Sequence, residues 1–463
     1  MNHKVLLWIS LIYFLISSNI YAQTQELSLE EAQQYALQNS HVKKNALRDI
    51  EIAKKKINET IAIGLPQITG SISNQNYIDL PTTLFPDFIG PVVFNVNKNY
   101  FGLDPQKPYP DMNFIPAQFG AKYNVTGKIG VNQLLFSGSY IVGLMASKTY
   151  YKQSVLVSKK TDQELKKQVA LAYYTVLATQ RNLSIFEKTL TNNERLKYEV
   201  NEAYKNGFVE DTEVDQLELI ISDLKASVVF TEAQIEVAKS MLKSVMGMPL
   251  NEEFTLSDSL ELLITNSDYK NLLSDKFDSK LNIDFKIAEN QVRLMKLNWK
   301  NNKTEYLPTI SAFFNAQTNA QRNEFNFFDS DQQWFNSNVF GFQLDWKLWT
   351  SGSRKSKIQQ TKLEYQKAVE SRLQIDENLQ IEFANLKSST EKNLEYYMNK
   401  EKSKELASKI YEKTQLKYSE GVASSNDLLN TYNQYLQSEG QLIQAIIGYL
   451  ESKLKLDLLQ SDN

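Results

Sequence analysis

Phe340-Gly341-Phe342-Gln343-Leu344-Asp345-Trp346-Lys347-Leu348 alternates without a fault. Phe340, Phe342, Leu344, Trp346 and Leu348 fall on one face and Gly341, Gln343, Asp345 and Lys347 on the other. A period of two is a β-strand, here with one apolar and one polar side. A few residues on, the rule changes. Ser353 to Ser419 is 67 residues without Gly or Pro, a span of roughly 100 Å if helical at 1.5 Å per residue. The same two signals occur earlier in the chain. Val125, Ile129, Val131 and Leu135 alternate with Thr126, Lys128 and Asn132, and Ser139 to Lys205 then gives another 67 residues with one Gly and no Pro.

These coincidences describe a duplication. Tyr204-Lys205-Asn206-Gly207 matches Tyr418-Ser419-Glu420-Gly421 at a shift of 214, Leu65-Pro66-Gln67-Ile68 matches Leu307-Pro308-Thr309-Ile310, and Leu135-Phe136-Ser137-Gly138 matches Leu348-Trp349-Thr350-Ser351. Beyond the first glycine, Val214, Leu217, Ile221, Leu224, Val228, Thr231, Ile235, Ala238, Leu242 and Val245 keep 3-4 spacing, the seam of a coiled coil. Under the shift, Val214, Ile221, Val228, Ile235 and Leu242 become Leu428, Tyr435, Leu442, Tyr449 and Leu456, so the register survives. The predicted class is mainly α with β, a helix-strand-strand-long helix-helix unit written twice. The first repeat occupies 23–247 with a β-hairpin at about 66–136. A polar connector follows at 248–280, and the second repeat occupies 281–463 with a hairpin at about 308–349.

Composition narrows the function. The 463 residues carry 51 Lys and Arg against 54 Asp and Glu, a net charge of −3, so no basic field exists to hold nucleic acid. With no cysteine there are no disulfides, thiolate metal sites, Cys nucleophiles or lipid-bearing N-terminal Cys. Residues 1–22 read as a cleaved export signal: Lys4, an apolar run from Val5 to Ile16, then small and polar residues to Ala22. No later segment reaches the roughly 20 apolar residues of a spanning helix. No phosphate loop, paired-His helix or nucleophile elbow occurs, and His41 is a lone surface histidine. No catalytic, cofactor-binding or metal residues are assigned, and the chain does not read as an enzyme.

Strands polar on one face and aromatic on the other suit a wall between lipid and water, and place Lys128, Asn132, Gln343, Asp345 and Lys347 toward a lumen. Four strands per chain cannot close a barrel, since roughly eight is the smallest with a filled interior. Two copies leave no channel; three give twelve strands and a wet lumen. Seven of the ten prolines lie between Pro81 and Pro116, in an excess of 29 residues of the first hairpin over the second, 70 positions against 41. Proline is excluded from paired strands and long loops of outer-membrane barrels face outward, so residues about 76–122 are expected to form an extracellular loop.

Leu27-Ser28-Leu29-Glu30-Glu31-Ala32 with Ala36-Leu37 and Asn39, the paired Leu-Pro strand starts, the Leu-Phe-Ser-Gly and Leu-Trp-Thr-Ser-Gly strand ends and the two Tyr-x-x-Gly helix breaks together resemble TolC-type outer-membrane factors, the outer membrane efflux protein family. The resemblance implies a homotrimer with a 12-stranded β-barrel in outer-membrane lipid, continued by a periplasmic α-helical barrel whose equator carries the connector. It implies an exit duct for a tripartite efflux pump or type I secretion system, working with a periplasmic adaptor and an inner-membrane pump. Gly207 and Gly421 would mark the periplasmic tip, where helices break and the adaptor makes contact. By offset, Asp427 falls on a gate aspartate and Tyr418 on a gate tyrosine. Asn430 stands where relatives have a second Asp and Ala423 where they have an Arg tether; Thr212 and Glu213 take the first-half gate positions. A stand-alone outer-membrane porin and a structural periplasmic coiled coil are the alternatives. The first leaves the long helices without a use and the second the strands.

Overall fold

The computed structural model describes residues 25–102, 114–265, 277–331 and 333–461. The export segment at 1–22 lies outside them, as do 103–113 of the expected loop and 266–276 of the connector. In chain order the elements are β1 (Gln25–Leu27), α1 (Leu29–Asn39), α2 (His41–Ile63), β2 (Gln67–Asn76), β3 (Thr82–Pro86), α3 (Ile89–Tyr100), β4 (Phe114–Gln118), β5 (Tyr123–Phe136), α4 (Gly138–Lys205) and α5 (Asp211–Met246). There follow β6 (Phe254–Leu256), α6 (Leu260–Thr265), α7 (Ile283–Thr304), β7 (Thr309–Arg322), β8 (Phe335–Asp345), α8 (Ser353–Ser419) and α9 (Ser425–Gln460). The order α2-β2-β5-α4-α5 recurs as α7-β7-β8-α8-α9. The chain divides into two compact units. One holds residues up to Lys55, Lys148–Lys296 and the chain from Lys362; the other holds Lys56–Ser147 and Leu297–Thr361.

In the first unit the coiled-coil seam is the core. Leu217, Ile221, Leu224, Thr231, Ile235, Ala238 and Leu242 of α5 are buried at 3-4 spacing, which keeps one stripe of the helix on its neighbours. One apolar cluster joins Leu165, Val169 and Tyr173 of α4, Leu242 and Met246 of α5 and Leu442, Ile446 and Tyr449 of α9 with Ala32 and Ala36 of α1. Ser28 opens α1 with a capping box: the Glu31 amide donates to Ser28 Oγ at 3.3 Å and the Ser28 amide to Glu31 Oε2 at 2.8 Å. The connector is not merely a polar tie. β6 pairs in parallel with β1, Phe254 and Leu260 join the cluster, and Asp258 Oδ2 accepts from the Leu29 amide at 2.7 Å and the Tyr173 hydroxyl at 2.9 Å.

The second unit is built on an antiparallel sheet in the order β2-β5-β7-β8. The register assigns its faces. Lys128 pairs with Ser71 and Gln317, Gln317 with Ser337, and Ser311 with Gln343, a polar face. Ile68 pairs with Val131, Val131 with Phe314 and Phe314 with Phe340, an apolar one. On the edge strands both faces are open among the described residues: every residue of β2 is exposed, Ile72 at 86%, and Phe342 of β8 is 67% exposed.

Two expectations need correction. Proline is not excluded from paired strands in the insert, which contains α3 and a β3–β4 ladder in which Leu84 pairs with Pro116 and Pro86 with Phe114. The prolines lie two pairs apart, in the same class of position, where a nitrogen turned away from the partner needs no hydrogen. The second hairpin also ends sooner than 349. Thr309 begins β7 opposite Asp345, so Lys347 has no ladder partner; its carbonyl instead accepts from Arg354 Nη2.

Candidate functional site

Two places hold the residues singled out in the sequence. The first is the sheet. Asn132 pairs with Gln67 and Lys128 with Ser71, while Gln343 faces Ser311 and Asp345 faces Thr309. Lys128, Asn132, Gln343 and Asp345 therefore share the polar face. Gln343 Nε2 donates to Asp345 Oδ2 at 2.9 Å. Lys347 is the one of the five outside the strands. Trp346 stands at this end of the sheet with its indole nitrogen donating to Tyr306 O at 3.0 Å, and Arg354 lies 4.6 Å from the Tyr306 ring centre.

The second place is the pair of turns that end α4 and α8. At each, a glycine takes the left-handed conformation, Gly207 at φ 77° and Gly421 at φ 73°, which a side chain would resist. The backbone closes identically: Gly207 N to Tyr204 O at 2.8 Å and Phe208 N to Ala203 O at 3.0 Å, against Gly421 N to Tyr418 O at 3.0 Å and Val422 N to Lys417 O at 2.8 Å. These bonds satisfy the last carbonyls of each long helix and reverse the chain into α5 and α9.

The two turns are joined by side chains. Tyr418, 6% exposed, lies among Leu196, Val200, Leu217 and Leu428. Its hydroxyl donates to Glu213 Oε2 at 2.7 Å, and Ser425 Oγ donates to Glu213 Oε1 at 3.3 Å. Burial first, then the Glu213 carboxylate, raises the Tyr418 pKa, so the phenol stays a donor. Asp427 is exposed and turned onto its own helix start. Its Oδ2 accepts from Ser424 Oγ at 2.7 Å and Ser424 N at 3.1 Å, and these bonds hold its carboxyl below the usual range. Asn430, three residues further on, and Thr212, next to Glu213 at the start of α5, are both exposed, and Ala423 packs on the apolar cluster. Glu213 and Tyr418 are thus brought together, while Asp427, Thr212 and Asn430 stay on the surface of this chain.

Two features escaped the sequence reading. Glu439, 4% exposed on α9, is paired with Arg181 of α4 at 3.7 Å and Lys404 of α8 at 3.4 Å, and Arg181 also pairs with Glu261. Asn193, fully buried, donates from Nδ2 to the Tyr411 hydroxyl at 3.0 Å, and Tyr411 stacks on Tyr435 with ring centres 5.5 Å apart. Both sit at helix positions where periodicity alone asks for an apolar residue. Among the described residues no cluster of three or more His, Asp or Glu could hold a metal ion, and no helix is long and apolar enough to cross a membrane.

The outer membrane efflux protein family model matches residues 280–459. That segment resembles this family. Among curated proteins nothing matches the sequence. In fold the likeness covers nearly the whole chain. CusC, solved in a study of folding and transmembrane channel formation, has a TM-score of 0.68 at 13% identity over 95% of this chain and 93% of its own. The outer membrane protein VceC of Vibrio cholerae gives 0.65 at 15% over 94% and 96%. The CmeC outer membrane channel of Campylobacter jejuni gives 0.66 at 14% over 93% and 85%. The fold of these structures therefore covers the first repeat as well, which the family model does not reach.

Proposed function

We propose that this protein is the outer-membrane exit duct of an export machine, a passive conduit with a gate at its periplasmic end. The observation that carries the proposal is the sheet. Its polar face and its apolar face are both exposed, and its edges, β2 and β8, have no partner strand among the described residues. Burying an Ile or Phe side chain is worth about 1.5–3 kcal/mol, so a row of them left open calls for lipid on one side. The open edges call for more copies of the chain. β2 and β8 run in opposite directions, so β8 of one copy can pair antiparallel with β2 of the next. Three copies give the 12-stranded barrel, with Lys128, Asn132, Gln343 and Asp345 lining the lumen and the duplicated long helices forming the periplasmic tunnel.

Gating is assigned to the turns at Gly207 and Gly421, with Glu213 and Tyr418 as an internal clasp and Asp427 as an acidic position facing the entrance. The same turns would receive a periplasmic adaptor, and through it an inner-membrane pump. Residues 1–22 direct export, and the insert at about 76–122 faces outward because the long loops of outer-membrane barrels do. The detergent-extracted protein should have the mass of three chains and conduct ions in a planar bilayer. A stable monomer retaining its β signal would end the proposal. Conductance without any export defect when adaptor and pump are deleted would favour a stand-alone porin instead.

A further inference from the structure

The insert after β2 is largely apolar, yet its described residues enclose no interior. No described residue of 77–102 or 114–122 is buried. Ile89, Val92, Val93, Val96 and Tyr100 recur at helical spacing on one face of α3, all exposed, while Lys98 lies on the opposite face. In the β3–β4 ladder Leu84 and Pro116 lie on one face and Phe85 and Ile115 on the other, so this small sheet is apolar on both sides. The helix is nonetheless built: Asp87 Oδ1 accepts from the Gly90 amide at 2.6 Å at its start. The neck is closed by Tyr77 N donating to Lys122 O at 2.8 Å.

Two observations choose the occupant. Asp79, Asp87, Lys98 and Lys122 are the only charged residues in those described stretches, so no cationic surface matches the anionic headgroups of a membrane leaflet. A sheet apolar on both faces also cannot lie flat on lipid without exposing one face to water. The second observation is where the insert is rooted. It leaves β2, an edge strand, at the end where Tyr123 pairs with both Asn76 and Arg322. At that same end the β7–β8 turn carries an aromatic group. Tyr123 to Phe325, Phe325 to Phe327 and Phe327 to Trp334 have ring centres 5.7, 5.4 and 6.2 Å apart, and Phe328 beside them is 90% exposed. When β8 of one copy pairs with β2 of the next, the insert of the second copy stands beside the β7–β8 turn of the first.

We infer that the insert docks on a second copy of this chain, the Val92, Val93, Val96 and Tyr100 face of α3 and the β3–β4 sheet packing against the neighbouring β7–β8 turn at Phe328. The inference rests on the closed assembly proposed above. It makes the insert a brace between copies at the outer mouth.

The chain has no cysteine, so Val93→Cys and Lys98→Cys each introduce a unique thiol. In the intact assembly a water-soluble maleimide should modify the first about tenfold more slowly than after dissociation, and the second equally fast in both states. Phe328→Ala should restore fast reaction at position 93; should Val93→Cys fail to assemble, Val92→Cys serves on the same face. Equal rates at 93 and 98 in a sample whose mass is that of three chains would sink the brace alone. Slow reaction at 93 with quenching of a fluorophore there by brominated lipid would put lipid in place of the second copy and overturn it too. A monomeric mass would overturn the duct and the brace together.

Discussion

Tyr418 and Glu213, 205 positions apart, join the ends of the two long helical hairpins through a 2.7 Å bond from phenol to carboxylate. At the shift of 214, Glu213 is the counterpart of Asp427 and Glu210 the counterpart of Ser424. Ser424 draws Asp427 into a capping box, whereas Glu210 makes no side-chain cap at the start of α5. Glu213 is thereby left to reach across, so the differences between the repeats at these two positions convert a local cap into a clasp.

Tyr418→Phe keeps the ring and removes the donor. A hydrogen bond to a charged group is worth about 1.5–3 kcal/mol, so if the clasp holds only the closed form, open probability should rise about 10- to 100-fold. Glu213→Gln should have a similar effect, and the double variant should add little to either. Single-channel recording decides this, and strictly additive effects would separate the two residues. Tyr418→Ala should leak more, since it also removes a buried ring.

Asp427→Asn tests the entrance. Three Asp427 carboxylates around an axis would favour cations, and the depressed pKa keeps them ionised at neutral pH. The variant should lose most of the cation preference in reversal-potential measurements. Helix stability should change little, because Asn remains a hydrogen-bond acceptor there. Unchanged selectivity would leave Asp427 as a helix cap and nothing more.

The elements legible in the sequence are those fixed by local period. The α5 seam, the capping box at Ser28 and the face shared by Lys128, Asn132, Gln343 and Asp345 follow from spacing alone. What was not legible depends on partners distant in the chain. Lys347 continues the alternation perfectly, yet β7 begins only at Thr309, so the ladder has ended before position 347. Pro86 and Pro116 argue against strands until their pairing with Phe114 and Leu84 sets them two pairs apart, in one class of ladder position, where proline's missing amide hydrogen can be tolerated. Phe254 sits in a polar connector and becomes core only because β6 finds β1. Glu439 looks like a solvated helix acid until α4 and α8 bring Arg181 and Lys404 to it.

Glu439 should matter for stability out of proportion to its place in the sequence. Removing one partner of a fully buried ion pair costs about 3–5 kcal/mol; here Arg181 and Lys404 are only half-buried and Arg181 keeps Glu261, so the loss should fall below that range. Glu439→Gln should therefore lower the melting temperature of the extracted assembly measurably. Adding Lys404→Met should recover part of the loss by removing an unpaired cation. No recovery would mean that Lys404 is solvated and takes no part in the group.

The two faces of the sheet should tolerate charge very differently. Ile72→Arg, on the apolar face, should cost about 2–4 kcal/mol if it lies near the membrane midplane, and less toward either interface. Gln317→Arg, on the polar face, should be nearly neutral for assembly and should shift ion selectivity toward anions. Folding yield into lipid vesicles measures the first and reversal potential the second. Equal tolerance at both positions would contradict a wall with lipid on one side and water on the other.

Alkaline pH should loosen the helix cluster beside the turns, and the sign follows from the tyrosines. Burial pushes Tyr411 up to about 12 from the ordinary 10.0. Burial also raises Tyr418, Tyr432 and Tyr435, aided respectively by the Glu213 carboxylate, by Tyr411 with Asp223, and by Glu439. For an acid whose folded pKa is raised, the neutral form belongs to the folded state. The stabilisation is therefore complete below pH 10 and is lost as the pH climbs through the raised values. For Tyr411 that amounts to about 3 kcal/mol, because an ionised phenolate cannot remain stacked on Tyr435 inside the cluster. Hydrogen exchange between pH 9 and 11.5, corrected for the intrinsic rate, should show opening of residues around 190–200 and 411–435. In Tyr411→Phe the opening should begin at higher pH, since the phenylalanine has no proton to lose. Identical pH profiles for the two proteins would show that lysine deprotonation elsewhere, and not the buried phenols, governs the loosening.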